Sequence, residues 1–194
     1  EGFFPNGNFA FTDDFTSQNL DYRWIGMRGP REEFVTITKN GLSINPYATN
    51  IKEVAPISTL FQRQQHKSFM ATVTMKYIPK SEKELAGITC YQSERFNYVF
   101  GVTKKDKDFL ILLQRTEKGQ SKIIASSKID IKKPIQLQVT AKEDDYSFSY
   151  STDGVNFSNI GGTVSGDILS TNVAGGFTGN LIGLYATTAN DANP

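Results

Sequence analysis

The sequence predicts an all-β protein, a sandwich of two antiparallel sheets packed face to face along a jelly-roll or similar Greek-key route. Three observations predict it. Several windows alternate apolar and polar residues with a period of two, as in Ile135, Leu137, Val139 and Ala141 against Gln136, Gln138 and Thr140, the mark of a half-buried strand. Turn-forming pairs such as Asn40-Gly41 and Asp153-Gly154 recur between these windows at short spacing. Helical periodicity is confined to Ser17–Ile25 and Gly166–Asn172, both too short for a structural helix. No repeat of fixed period occurs, which argues against a propeller, and 194 residues suffice for one domain with one good core.

In order, residues 1–10 read as a linker or arm, because Gly, Pro and Asn crowd the stretch. Phe11–Phe15 is a short strand candidate, and Leu20–Pro30 reads as a loop pinned to the core by Trp24 and ended by Gly29-Pro30. Phe34–Thr38 and Leu42–Asn45 form a hairpin across Lys39-Asn40-Gly41, since Asn-Gly supplies the positive φ of a tight hairpin turn. Pro46–Pro56 is a turn region before a strand at Ile57–Arg63. Phe69, Ala71, Val73, Met75 and Tyr77 share one face of a long strand. Ala86–Gln92 has little alternation, as in an inner strand, and Tyr98–Thr103 pairs with Phe109–Arg115 across Lys104–Asp108. Lys122–Ser127 follows Gly119 as the next hairpin arm. Ile135–Ala141 turns through Glu143–Asp145 into Tyr146–Tyr150, and Tyr150–Phe157 reads as strand, Asp-Gly turn, strand. Leu181–Ala186 closes the series.

Charge and composition narrow the function. Lys and Arg number 21 against 20 Asp and Glu, with no long block of either sign; nucleic-acid binding rests on a basic stripe, so no nucleic-acid partner is expected. Apolar runs such as Phe109–Leu113 fall far short of the roughly 20 residues that span a bilayer, so no membrane span is expected. The first residues lack the basic and apolar regions of a secretory signal. The compartment stays open: periplasmic or extracellular after removal of a leader, cytoplasmic otherwise. Cys90 is the sole cysteine, which excludes a disulfide within the chain and a cysteine-based metal site.

Candidate sites are few. His66, the single histidine, ends the polar cluster Arg63-Gln64-Gln65-His66; it is a metal ligand, part of an interdomain or groove-lining hydrogen-bond network, or a residue of a solvated strand. Asp153 and Asn156 offer oxygens to calcium, but Asp-Gly also closes hairpins for backbone reasons alone. Asp13-Asp14, Glu32-Glu33 and Asp144-Asp145 are adjacent pairs; neighbours on a strand point to opposite faces, so adjacency makes no catalytic dyad. No Gly-x-Ser-x-Gly element is present and His66 has no evident nucleophile beside it. In Gly175–Ala186 (GGFTGNLIGLYA), glycines at 175, 176, 179 and 183 permit tight turns or close backbone approach, with Phe177 set among them as either a core plug or a ring presented to a partner.

Several segments together resemble the carboxy-terminal β-sandwich domain of family-43 glycoside hydrolases of the β-xylosidase type. They are Asp13-Asp14-Phe15 with Leu20 and Trp24, Met27-Arg28-Gly29-Pro30, Arg63-Gln64-Gln65-His66, Ala86-Gly87-Ile88 with Tyr91-Gln92, Tyr146, Phe148 and Tyr150 running into Ser151–Gly154, Phe177-Thr178-Gly179, and Ile182–Ala186. The resemblance extends from about residue 11 to residue 187. It implies a concanavalin A-like sandwich behind a five-bladed propeller that holds the catalytic carboxylates and removes xylose or arabinose units by inversion. It also implies that Phe177, with Thr178 and Gly179, stands at the rim of the sugar pocket, and that the ring is exposed or disordered when the domain is alone. Arg63, Gln64, Gln65, His66, Trp24 and Arg28 are then candidates for an interdomain contact or groove. Family members continue into an Ala-Asp-Phe-Asp-like final strand pairing near the start of the domain. This sequence stops at Asn190–Pro194, so either it is truncated or the last strand is missing; residues 11–194 are expected to form one sandwich, and without that strand an edge beside Phe11–Phe15 is open.

The expected function is that of a non-catalytic accessory domain of a β-xylosidase or α-arabinofuranosidase-like hydrolase. Its partners are a catalytic propeller and xylan-derived oligosaccharides. No cofactor is required, calcium being the one candidate. The alternative is a free-standing carbohydrate-binding module, and a self-contained glycosidase comes last.

Overall fold

The computed structural model describes residues 10–192. In chain order its strands are β1 (Ile25–Met27), β2 (Val35–Thr38), β3 (Gly41–Ile44), β4 (Ile57–Arg63), β5 (Phe69–Met75), β6 (Leu85–Ser93), β7 (Phe96–Lys105), β8 (Asp108–Glu117), β9 (Gln120–Ile129), β10 (Ile135–Lys142), β11 (Asp145–Ser151), β12 (Ser158–Ser165) and β13 (Leu181–Thr187). A single-turn helix, α1 (Thr171–Ala174), and two 3-10 turns, Arg31–Glu33 and Asp167–Leu169, complete the described elements. A seven-stranded antiparallel sheet runs β1-β4-β13-β6-β7-β8-β9, and a four-stranded one runs β12-β11-β10-β5. The β2–β3 hairpin stands apart.

The two sheets enclose the main core. Ile88, Cys90, Tyr98, Phe100, Ile111 and Leu113 from the large sheet meet Ile135, Leu137, Val139 and Phe148 from the small one, all buried. The Phe148 ring lies 5.6 Å from that of Tyr98 and 5.5 Å from that of Phe100, within the range of favourable tilted ring pairs. The small sheet has one solvated face, which is why its strands alternate cleanly. Gln136 and Gln138 point outward and donate to Thr74 and Thr72.

The large sheet is covered on both faces at its centre, so β6, β7 and β8 are buried almost without a break. A second cluster on its outer face joins Ile57, Phe61, Tyr91, Val99, Leu112 and Tyr185 beneath Ile51 of the 46–56 loop. The Tyr185 hydroxyl accepts from the Ile51 amide at 3.0 Å and ties that loop down. β13 is inserted between β4 and β6, and Gly183 makes this possible: a Cβ there would sit 2.1 Å from the Leu60 carbonyl oxygen.

Local differences from the sequence expectation have local causes. Phe11–Phe15 forms no strand, because the Asp13 and Asp14 carboxylates accept from the amides of Phe15 and Thr16 and fold the segment into turns. The large sheet therefore ends at the short β1, within the stretch expected to be loop. The full length of β12 escapes the sequence pattern, since Gly161 and Gly162 break it; both have positive φ beside a bulge opposite Ser147/Phe148. Residues 152–157, containing the Asp-Gly pair, form a loop and not a tight hairpin. The arm expected over residues 1–10 lies outside the described residues except for Ala10.

Candidate functional site

The loop between α1 and β13 turns on glycine. Gly175, Gly176 and Gly179 have φ of +73°, +81° and +72°, conformations that cost other residues steric strain. Between them Phe177 is 105% exposed, the most solvent-facing of the large apolar residues among those described. The ring is thus presented to solvent and plugs no core.

The backbone that carries this ring is fastened on both sides. Gln92, only 6% exposed near the end of β6, donates through Nε2 to the Gly175 carbonyl at 3.0 Å. Arg63, the last residue of β4, donates through Nη1 to the Thr178 carbonyl at 2.8 Å. The Gln64 amide donates to the Asn180 carbonyl at 3.0 Å. The Gln64 side-chain oxygen in turn accepts from Tyr146 Oη at 2.9 Å and from Asn180 Nδ2. Burial pushes the Tyr146 phenol up to about 12, so it remains a donor at ordinary pH.

The expected groove residues fall into four places. Arg63 and Gln64 join the Phe177 loop, while Gln65 and His66 are exposed on the β4–β5 connection, where Gln64 Nε2 donates to the His66 carbonyl at 3.0 Å. Trp24 lies elsewhere: its indole donates to Asp13 at 2.8 Å and its ring meets Phe11 and Phe15 at 6.3 and 5.4 Å. It pins the amino-terminal segment and belongs to neither core cluster. Arg28 pairs with Glu94 at 2.7 Å and donates to the Glu53 carbonyl at 3.2 Å. Burial pushes the Glu94 carboxyl up, but its backbone bonds and the Arg28 guanidinium win and hold it below its ordinary value.

The carboxylates singled out as candidates act on their own turns. Asp153 accepts from the Asn156 and Val155 amides, the Asn156 side chain and Ser151 Oγ. Those bonds, the Asn156 amide first, hold its carboxyl far below the usual range. Asn156 here offers its amide NH₂ to Asp153. Glu32 pairs with Arg31 and Glu33 accepts from the Tyr47 hydroxyl. Among the described residues no group of three or more His, Cys, Asp or Glu converges on a common point. Cys90 is fully buried, and that burial raises its thiol pKa and keeps it protonated.

Sequence reasoning misses the network of Gln92, Tyr146 and Asn180. Gln92 and Tyr146 enter the sequence reading as strand residues and as parts of the family resemblance, with nothing to join them, and Asn180 follows the glycines with no mark of its partner. The one clue is the density of glycine around Phe177, which implies a backbone that something else must hold.

Comparison with known proteins places this geometry. The chain is 29% identical over 183 residues to the non-reducing end α-L-arabinofuranosidase BoGH43B of Bacteroides ovatus, covering 93% of this chain and 34% of that enzyme. A xylosidase/arabinosidase of Butyrivibrio fibrisolvens is 33% identical over 98 residues, 48% of this chain and 19% of that one. A crystal structure of a GH43_12 protein from a capybara gut metagenome superposes with a TM-score of 0.89 at 45% identity, over 96% of this chain and 36% of that one. The GH43B structure from the Bacteroides ovatus xyloglucan locus gives 0.85 at 26% identity, over 96% and 38%. The chain thus spans about a third of the length of BoGH43B and of these two solved structures. With residues 12–194 matching its sequence profile and the two-sheet sandwich in place, the chain belongs to the family of β-xylosidase C-terminal concanavalin A-like domains of GH43 enzymes.

Proposed function

We propose that this chain is a non-catalytic accessory domain of a GH43 glycoside hydrolase, packing on a catalytic propeller and presenting Phe177 at the rim of a pocket for xylose- or arabinose-containing oligosaccharides. The observation that carries this is a fully exposed phenylalanine on a loop whose backbone is fastened from two strands. Single exposed apolar residues need no explanation, but a fastened one is built to stay in place. The candidate carboxylates support a non-catalytic role, since those of Asp13, Asp14 and Asp153 are engaged by their own turns. The test is hydrolysis of 4-nitrophenyl β-xyloside by the two-domain enzyme carrying Phe177→Ala. A fall in kcat/KM of about tenfold is expected for loss of one packed ring; an unchanged value overturns the proposal.

The alternative, a glycan-binding module, has one observation in its favour. A groove of about 670 Å³ opens on the outer face of the large sheet, lined by Gln114, Gln120, Ser121, Lys122 and the Lys52–Asp191 pair. Its size is that of small-molecule sites, and its polar groups sit beside Ile123, Ile124, Ala125 and Ala192. Saturable binding of xylohexaose to the 194-residue chain would favour this alternative.

A further inference from the structure

The 175–180 loop has the composition of a flexible segment and the hydrogen bonds of a rigid one. Residues 175–179 are all exposed, so the loop gains almost nothing from apolar burial. Three glycines at positive φ make its ordering entropically costly. Yet it is fastened at the Gly175 carbonyl, two residues before Phe177, and at the Thr178 carbonyl, one residue after it. The two donors come from separate strands, β6 and β4, and lie 83 and 115 residues from their acceptors. Holding a carbonyl on each side of Phe177 restricts the backbone torsions that aim its ring. Gln92 is nearly buried, and its side-chain oxygen has no partner among the described residues. Among the described residues its side-chain hydrogen bond is the one to the loop, and turning the amide over would lose it.

We infer that Arg63 and Gln92 are positioning residues for Phe177: they fix the loop backbone so that the Cα–Cβ bond carrying the ring points one way before anything contacts it. The inference rests on the proposal that Phe177 acts at a sugar pocket. It adds the source of the ring's placement, a preorganisation that removes the entropy cost of ordering the loop at the moment of contact. Arg63 and Gln92 touch no substrate in this scheme and act through the ring alone.

Two measurements test it. In ¹⁵N relaxation of the 194-residue chain, the Phe177 and Thr178 amides should have order parameters near about 0.8, falling below about 0.6 in Arg63→Ala/Gln92→Leu. Unchanged values overturn the inference. Should Gln92→Leu fail to fold, Arg63→Ala alone, at an exposed position, carries the measurement. In the two-domain enzyme, Arg63→Ala and Gln92→Leu should each lower kcat/KM on 4-nitrophenyl β-xyloside by about two- to tenfold, as small misplacements of a contacting group do. That loss should vanish when Phe177→Ala is already present. A loss of equal size in the Phe177→Ala background shows action by another route and overturns the inference. No kinetic effect of Phe177→Ala itself removes the pocket proposal, while the relaxation result still decides whether the loop is fastened.

Discussion

Phe148 and Phe177 have the same side chain and opposite surroundings. The first is fully buried, with rings of Tyr98 and Phe100 within 5.6 Å; the second is entirely in solvent. Phe148 stabilises the fold by removing apolar surface from water, and its position follows from the alternation of β11. Phe177 removes none, so the fold gains nothing from it, and the hydrogen bonds around it hold backbone and not ring. The contrast separates residues that make the sandwich from residues the sandwich holds out.

Substitutions should break this contrast in order of size. Phe148→Ala should cost about 3–5 kcal/mol of unfolding free energy, as for a buried ring, read by urea denaturation. Gly183→Ala should cost about 1–3 kcal/mol, because its Cβ would meet the Leu60 carbonyl 2.1 Å away; a stability equal to the parent would mean that β13 can shift between β4 and β6. Phe177→Ala should lie within about 0.5 kcal/mol of the parent. A large loss of stability there would place the ring among the fold-making residues after all.

pH sharpens the same contrast between buried and exposed groups. Burial raises the phenols of Tyr98 and Tyr146 to about 12, against about 10 in an unfolded chain. In this direction burial favours the neutral phenol, so the native rings hold their protons to higher pH than the unfolded ones. The stability they contribute is complete below about pH 10 and is lost as pH rises toward 12; tyrosinate absorbance should show part of the tyrosine signal appearing only as pH approaches 12. Asp153 has the opposite sign. Its carboxyl is depressed by the bonds of its turn, so its contribution is present above about pH 4 and lost as pH falls below that. Asp153→Ala should flatten the acid limb of a stability–pH curve.

Most of the small sheet was legible because each of its strands has one wet and one dry face, and the alternation of Ile135–Ala141 and Tyr146–Tyr150 records it. β12 was not legible, because its two glycines remove the side chains that would have carried the pattern. At the site, Phe177, Arg63 and Gln64 stood out in the sequence as separate features. Trp24 and Arg28 were grouped with them, but the fold ties Trp24 to Asp13 and Arg28 to Glu94 instead.

By itself the sequence determined the all-β class and most strands and turns, because period-two alternation and turn chemistry act over a few residues; the family came from resemblance in the order of its motifs. Only the tertiary structure decided that β13 runs between β4 and β6, and that Gln92 and Arg63 converge on the loop carrying Phe177. These pairings join residues 83 and 115 positions apart. Contact at that distance depends on the order in which strands assemble into a sheet, which no local pattern of side chains encodes.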